Sequence, residues 1–160
     1  MDRLPVVERA HWPDLAAAYG LALSNGAGRP LWRESAYWHF SAEEVAERLT
    51  APAAALERMG YAAVEYALGS DTLLRRLGVP EYLWDTLTNS WRSRHKHLAG
   101  RFDLAYDGHG PPRLLGYEAD APAGLAEAAL FQASWLNGRG FGQFNAIAEA
   151  LGVALKEFGI

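Results

Sequence analysis

The chain has 160 residues, and half of them are hydrophobic, so its length predicts one domain with its own core and excludes a disordered protein. The 19 acidic residues outnumber the 15 lysines and arginines, and this net charge of −4 argues against nucleic acid or an anionic membrane as the main partner. There is no cysteine, which excludes disulfides, thiol nucleophiles and cysteine-based zinc sites and favours a reducing compartment. With no apolar run of about 18 residues and no basic-then-apolar start, we expect a cytoplasmic protein without a secretion signal.

The first forty residues predict a small N-terminal element followed by an anchored segment. The Ala- and Leu-rich stretch Leu15–Leu23 predicts a helix, which the breaker-rich stretch Ser24–Pro30 ends. Residues 31–40 carry four aromatic side chains with neither a strand period nor a helix period, and we expect them to be mostly buried. We therefore divide the chain into an N-terminal helix and loop, residues 1–30, and a body, residues 31–160, within one globular unit.

Capping signals and breakers predict further helices in the body. Ser41 and Glu44 have the spacing of a capping box, in which the serine hydroxyl accepts the backbone amide of Glu44 and the carboxylate reaches back to the serine amide. The apolar stripe that follows predicts a helix to about Leu68, which Pro52 must kink or restart because it removes a donor and clashes with the preceding turn. The remaining predicted helices are Thr72–Leu77, Glu81 to about His95, Gly124–Leu136 and about Phe141–Phe158.

Alternation of apolar and polar residues after Gly100 predicts a β-hairpin. The first strand begins at Arg101, residues 107–112 form the turn, and Arg113–Glu118 is the second strand. The cross-strand pairs that follow are Tyr106–Arg113, Asp103–Gly116 and Arg101–Glu118. The fold class that we predict is α+β, a predominantly helical single domain with a central hairpin.

One face of this hairpin carries the clearest candidate chemistry. It presents Arg101, Asp103, Gly116 and Glu118 together. Two carboxylates on adjacent strands are suitable oxygen ligands for Mg²⁺, and an arginine beside them can bind a phosphate or a carboxylate. The alternative is a cross-strand ion pair between Arg101 and Glu118 on a solvated face, contributing about 0.2–1 kcal/mol.

Two other segments have less specific patterns. The basic run from Trp91 to His97 fits an anion site, but cations favoured by the negative end of a helix dipole explain it more simply. His95 and His97 lack a third ligand for zinc. The stretch Gly138–Gly142 has the glycine content of a phosphate cradle without the lysine or hydroxyl residue of a P-loop, and we interpret it as a flexible connection.

Several segments, in order and spacing, resemble one enzyme family from about Trp32 onward. The segments are Trp32–Tyr37, Asn89–Trp91, Gly100–Gly108, Leu114–Pro122, Gln132–Trp135 and Gln143–Asn145. They are similar to the N-terminal part of glutathionylspermidine synthase and its relatives. The block Gly100–Gly108, with its Gly-Arg-Phe-Asp start and its Tyr-Asp-Gly end, is the most specific element.

The resemblance implies a pre-ATP-grasp fold and a role in an ADP-forming carboxylate–amine ligase. Such enzymes activate a carboxylate as an acyl phosphate and couple it to an amine. The resemblance further implies that Arg101 steadies the acyl phosphate, that Asp103 binds Mg²⁺, and that a small peptide and an amine are substrates. ATP would be bound by an ATP-grasp module, in cis or in trans, because the nucleotide-binding lysines of the family lie beyond the region matched here. We expect no turnover of ATP by this chain alone.

The second strand departs from the family's pattern, which normally reads Leu-Leu-Glu-Tyr-Asn-Ala-Asp-Thr-Pro-Thr. Gly116 stands at the Glu position and Glu118 at the Asn position, both metal-site positions in the family. Glu118 is our second candidate metal ligand, since strand alternation keeps it on the same face. Ala121 and Ala123 stand at the two hydroxyl positions near the peptide substrate, so both hydroxyl donors are missing.

Three hypotheses follow from these observations. The first is one part of a carboxylate–amine ligase with a partly altered Mg²⁺ and substrate site at Arg101, Asp103 and Glu118. The second is a non-catalytic binding or scaffold domain that retains the fold and has lost the site, which the residues at positions 116, 121 and 123 motivate. The third is a small-molecule or metal-binding protein outside this family.

Overall fold

The computed structural model describes residues 1–24 and 27–159 and confirms an α+β fold, with helices and two small antiparallel sheets. The chain forms two compact units. We call Met1–Arg48 with Leu98–Ile160 the hairpin unit, and Leu49–His97 the helical unit. No helix within the described residues has the length and apolar character needed to cross a membrane.

A sheet that the sequence patterns did not predict lies at the start of the hairpin unit. Strand β1, Asp2–Pro5, pairs antiparallel with β2, Ala36–His39. All four residues of β1 are exposed, so it lacks the half-buried alternation by which a strand is recognised. The expectation that residues 31–40 are mostly buried was wrong, because within this segment only Glu34 is fully buried.

The first helix is shifted towards the N-terminus relative to the prediction. Helix α1 is Trp12–Ala18, with Pro13 in its first turn, where proline needs no hydrogen-bond partner. It ends at Tyr19, because Gly20 adopts a left-handed conformation and the chain turns back so that the Leu21 amide bonds the Ala16 carbonyl. Asn25 and Gly26 of the predicted breaker segment lie outside the described residues.

The segment around Pro52 is helical, as predicted. A short helix α2, Ala42–Glu44, is capped by the Ser41 hydroxyl, which accepts the Glu44 amide at 3.1 Å. The next residues, Val45–Thr50, are π-helical, and α3, Ala51–Leu68, begins immediately before Pro52. Helical backbone therefore runs without a gap over residues 42–68, and the change from π-helix to α-helix falls at the residue before Pro52, which has no backbone N–H to donate.

Two shorter helices complete the helical unit. Helix α4 is Asp71–Arg76, capped by the Ser70 hydroxyl, and a 3₁₀ turn, Glu81–Leu83, leads into α5, Trp84–Arg92. Helix α5 ends three residues before the predicted His95, because Arg94 adopts a left-handed backbone conformation.

The hairpin consists of β3, Arg101–Ala105, and β4, Arg113–Glu118. The predicted pairs Arg101–Glu118 and Asp103–Gly116 are present. The predicted pair Tyr106–Arg113 was wrong: a bulge after Asp103 shifts the register, so that Arg113 pairs with Ala105. A bulge inserts one extra residue in one strand, and a pattern of alternation extrapolated from the turn cannot locate it.

Two C-terminal helical segments close the hairpin unit. The first is π-helical over Glu127–Phe131 and continues as α6, Gln132–Leu136; the second is α7, Ile147–Phe158. Both begin later than predicted, α7 by six residues, because the Asn145 side chain accepts the Ile147 amide and sets the helix start there. Phe131 is fully buried between the rings of Tyr19 and Trp32 and forms the centre of this core.

Candidate functional site

The candidate site is one arginine that holds two carboxylates and a carbonyl on the hairpin face. The Arg101 Nε atom donates to Asp103 Oδ1 at 2.9 Å, and Nη2 lies 3.3 Å from Asp103 Oδ2 and 3.0 Å from Glu118 Oε2. Its Nη1 atom donates to the carbonyl of Ala123 at 2.8 Å. The structure thus brings together all three predicted site residues, Arg101, Asp103 and Glu118, which we call the Arg101 cluster.

Strand geometry explains why these side chains meet. Arg101 and Asp103 are two residues apart on β3 and share a face, and Glu118 lies directly opposite Arg101. The bulge follows Asp103, so the register is regular through the three residues of the site. The site is therefore held by backbone pairing on both strands.

The Arg101 cluster is open to water. The side chains of Arg101, Asp103 and Glu118 are 37%, 51% and 43% exposed. The hydrogen bonds to Asp103 raise the pKa of Arg101 above its ordinary value, with further contributions from the charges of Asp103 and Glu118. Solvent screening keeps the stabilising contribution of such exposed pairs small, about 0–1 kcal/mol.

The donor set is chemically suitable for Mg²⁺ only when other oxygen ligands join it. Mg²⁺ is commonly bound by one or two carboxylates together with substrate phosphates and water, and Asp103 and Glu118 provide two carboxylates. Within residues 1–24 and 27–159 there is no group of three or more acidic or histidine side chains arranged to hold a metal. The residues present fit a metal that is shared with a phosphate ligand, and they do not form a complete cage.

Of the four altered positions, Glu118 belongs to the Arg101 cluster, and Gly116 and Ala123 are in direct contact or pairing with its members. Gly116 pairs with Asp103, and a Cβ atom built at Gly116 would meet only Asp103 Oδ2, at 3.8 Å, so there is room for a side chain. Ala121 and Ala123 are exposed, and Ala123 contributes its backbone carbonyl to Arg101, a contact that any residue type can provide. The substitutions remove polar groups without disturbing the Arg101 contacts.

The family comparison decides the relationship. A family model described as glutathionylspermidine synthase pre-ATP-grasp matches residues 3–159. The chain belongs to the glutathionylspermidine synthase pre-ATP-grasp family. The match covers almost the whole chain and confirms the resemblance found in the sequence motifs.

Several proteins similar to this chain at low sequence identity have the names of enzymes. A putative acid–amine ligase of Haemophilus influenzae is 32% identical over 120 residues, which are 74% of this chain and 29% of that protein. The bifunctional glutathionylspermidine synthetase/amidase of Escherichia coli is 31% identical over 126 residues, 75% of this chain and 20% of that protein. A trypanothione synthetase of Crithidia fasciculata is 31% identical over 74 residues, 46% of this chain. The chain spans less than a third of the length of these relatives.

A second polar cluster of this pre-ATP-grasp chain was only half predicted. Glu44 was expected to reach back to the Ser41 amide, but its carboxylate bonds chiefly to the Met1 ammonium at 2.9 Å and the Tyr106 hydroxyl at 2.7 Å. The pKa of Glu44 lies below its ordinary value because its carboxylate accepts hydrogen bonds from the Met1 ammonium and the Tyr106 hydroxyl. The Ser41 amide makes a smaller contribution in the same direction. The hydrogen bond to Glu44 in turn raises the pKa of Tyr106.

A third cluster, at Glu34, was missed by the sequence reasoning. Glu34 is fully buried. Its two carboxylate oxygens share the Nε–H of Arg9 and also accept hydrogen bonds from Arg9 Nη2 at 2.5 Å, the Arg9 backbone amide and the Trp32 indole. Arg9 also donates to Ser134 and lies over the ring of Phe131. The available signal was a charged residue between aromatic ones in the segment Trp32–Tyr37, which the family pattern also contains.

Proposed function

We propose that this chain is the pre-ATP-grasp part of an ATP-dependent carboxylate–amine ligase, and that the Arg101 cluster lies at its acyl-phosphate site. The observation that carries the proposal is the guanidinium group of Arg101, held in one orientation by Asp103, Glu118 and the Ala123 carbonyl while 37% of the side chain stays exposed. A fixed guanidinium needs no reorganisation when charge develops next to it, which is the condition for electrostatic catalysis.

The charge balance of the cluster supports a cation as cofactor. One guanidinium and two carboxylates give a formal charge of −1, which disfavours an anionic acyl phosphate. Mg²⁺ held by Asp103 and Glu118 would reverse the sign of this charge and screen the phosphoryl oxygens. Four of the five N–H groups of Arg101 have partners among the described residues. The fifth, on Nη1, can point to a substrate oxygen.

The proposed reaction needs a nucleotide site, which we assign to an ATP-grasp module. In the proposed ligase, a carboxylate oxygen attacks the γ-phosphorus of ATP and ADP leaves; the amine nitrogen then attacks the acyl carbon and phosphate leaves. An ATP-grasp module, in cis or in trans, supplies the nucleotide. With alanine at positions 121 and 123, we propose an acid substrate, such as a small peptide, whose recognition does not require two hydroxyl donors there.

The first test is the intact mass of the native protein purified from its source. A mass well above 17.5 kDa, or co-purification with an ATP-grasp subunit, is expected. A 17.5 kDa protein that purifies without any nucleotide-binding partner would contradict the ligase proposal.

The decisive test is ADP release by the native assembly in the presence of a panel of peptides and polyamines. Arg101→Ala is expected to lower kcat by about 10²–10³-fold, the loss typical for one donor that stabilises transition-state charge. Arg101→Lys should recover little, because a lysine cannot hold two carboxylates in the same fork. Arg75→Ala removes an exposed arginine with an ion pair to Glu81 at 2.9 Å and serves as the matched control. Equal activity of the Arg101→Ala and Arg75→Ala variants would refute the assignment.

A second candidate function is a binding or scaffold domain without catalysis. The observation that favours it is the absence of a polar side chain at Gly116, Ala121 and Ala123, while Arg101 already forms ion pairs with both remaining carboxylates. Gly116→Glu places a carboxylate next to Asp103, so this variant should bind Mg²⁺ more tightly by calorimetry than the Gly116→Gln control. If the wild type binds Mg²⁺ as tightly as Gly116→Glu, the site is not impaired and the scaffold interpretation fails.

A further inference from the structure

A cavity of about 970 Å³ lies within the helical unit, and none of its lining residues belongs to the Arg101 cluster. It is formed by α3, α4, α5 and the segment that follows α5, up to His97. Sites for small molecules commonly have volumes of about 300–1,000 Å³. The cavity is therefore large enough for a ligand of substantial size.

Six aliphatic side chains form part of the cavity wall, together with the rings of Tyr61 and Trp91. Val64 and Leu68 lie one turn apart on α3, Leu87 lies on α5, and Leu74 forms the buried end at 4% exposure. Val64 and Leu87 remain 41% and 39% exposed. An apolar ligand that covers this exposed apolar surface removes it from water, which lowers the free energy.

The mouth of the cavity carries positive charge. Arg92 and Arg94 both line it, and neither guanidinium forms an ion pair or hydrogen bond with another side chain among residues 1–24 and 27–159. The only carboxylate in the lining is Glu65, and it accepts a hydrogen bond from the Trp91 indole. The two guanidinium groups therefore exceed the negative charge in the lining, which favours an anion.

The backbone at Arg94 places these cations at the cavity. Arg94 has a φ of 49°, a left-handed conformation that a side chain other than glycine adopts at a cost in free energy. The turn brings the His95 ring to the Ser90 hydroxyl, with 3.0 Å between Nδ1 and Oγ. This turn ends α5, with bonds from the Arg94 amide to the Trp91 carbonyl and from the His95 amide to the Ser90 carbonyl, and the residues that follow it line the cavity up to His97.

We propose that this cavity is a binding site for an amphipathic anion, an alkyl chain that ends in a carboxylate or a phosphate. The alkyl chain would lie along Val64, Leu68 and Leu87, and the anionic group would bind Arg92 and Arg94. Charge complementarity favours this occupant over a neutral apolar ligand. The site has no residue in common with the proposed ligase site, so either assignment can fail without the other.

Binding to the full chain is measured with decanoate and decyl phosphate, and with decanol as the neutral analogue. Because Trp91 lies in the wall, the chemical shift of its indole N–H reports occupancy. Decanoate or decyl phosphate should bind saturably and at least about tenfold more tightly than decanol, the ratio that one charge-assisted interaction provides. The stronger of the two anions identifies the head group. Equal affinity for decanoate, decyl phosphate and decanol, or shifts that map outside the helical unit, would overturn the proposal.

Variants separate the two parts of the site. The double variant Arg92→Gln/Arg94→Gln should weaken binding of the preferred anion about tenfold and leave decanol binding unchanged. The double variant Arg75→Gln/Arg76→Gln, which makes the same charge change outside the cavity lining, should leave both unchanged. Leu77→Ser, at a lining position that is 66% exposed, should weaken all three ligands without unfolding the chain. Sedimentation that shows a dimer dissociating upon ligand addition would identify a second copy as the natural occupant and refute the assignment.

Discussion

The hairpin unit contains two arginine–carboxylate clusters that differ mainly in their exposure. Arg9 binds the fully buried Glu34, with the Trp32 indole as a further donor, whereas Arg101 binds Asp103 and Glu118 in contact with water. Both clusters pair a guanidinium group with carboxylate. The difference shows that burial decides whether such a contact stabilises the fold or stays accessible to a ligand.

The reason is the cost of removing charge from water. A buried carboxylate without a partner is costly, so every hydrogen bond to Glu34 is needed for the folded state. At the Arg101 cluster, water solvates whatever the ion pair leaves unbonded, and the net stabilisation is small. A solvated cluster can therefore exchange its contacts for those of a substrate or a metal.

The largest expected effect is the loss of the buried carboxylate. Glu34→Ala leaves the Arg9 guanidinium, 20% exposed, without its counter-ion and should lower the free energy of unfolding by about 3–5 kcal/mol. Urea denaturation followed by circular dichroism measures this change. The matched variant Glu118→Ala should lower it by less than about 1 kcal/mol. Similar losses for the two variants would break the comparison.

The second-largest expected effect is a loss of stability at low pH, when Glu34 becomes protonated. Burial raises the pKa of Glu34, but hydrogen bonds from Arg9 and Trp32 outweigh it and hold that pKa below its ordinary value of 4.5. The stabilisation is therefore complete above pH 4.5 and decreases as the pH falls through the lowered folded-state pKa. Thermal unfolding between pH 3 and pH 6 should show a smaller pH dependence for Glu34→Gln than for the wild type. An unchanged pH profile in Glu34→Gln would mean that other carboxylates control acid stability.

The smallest effect on stability is expected at the proposed functional site. Arg101→Ala should change the free energy of unfolding by less than about 1 kcal/mol, because each partner in the cluster is exposed. A double-mutant cycle with Glu118→Ala should give a coupling free energy of about 0.2–1 kcal/mol. A coupling several times larger would show that the Arg101 cluster is structural, in which case a loss of activity in Arg101→Ala would need a different explanation.

The sequence patterns predicted the hairpin site well and the surrounding core poorly. Alternation of side chains placed Arg101 and Asp103 on one face of β3, since strand periodicity is set by the backbone alone. The pairing of Arg101 with Glu118 was predicted from a turn that also paired Tyr106 with Arg113, and it holds because the longer turn and the bulge after Asp103 offset each other. The bulge after Asp103 escaped prediction, because one inserted residue leaves no signature in apolar alternation. Strand β1 was missed because its four exposed residues carry no burial pattern.

Local chemistry was determined by the sequence itself. The hydroxyl of Ser41 caps the next helix, and Pro52 lies where the π-helical turns change to α3, because each residue acts on backbone groups within about four residues. The family motif around Arg101 is likewise contiguous in the chain. Such features need no knowledge of the core.

Only the tertiary structure decided which distant groups meet. Glu34 is stabilised by Arg9, which is 25 residues away in the chain, and Glu44 binds Tyr106, 62 residues away. A carboxylate that is to be buried must find its donors wherever the packed chain places them, and no short-range pattern encodes that choice. The cavity between α3 and α5 has the same origin, since it depends on how closely whole helices pack.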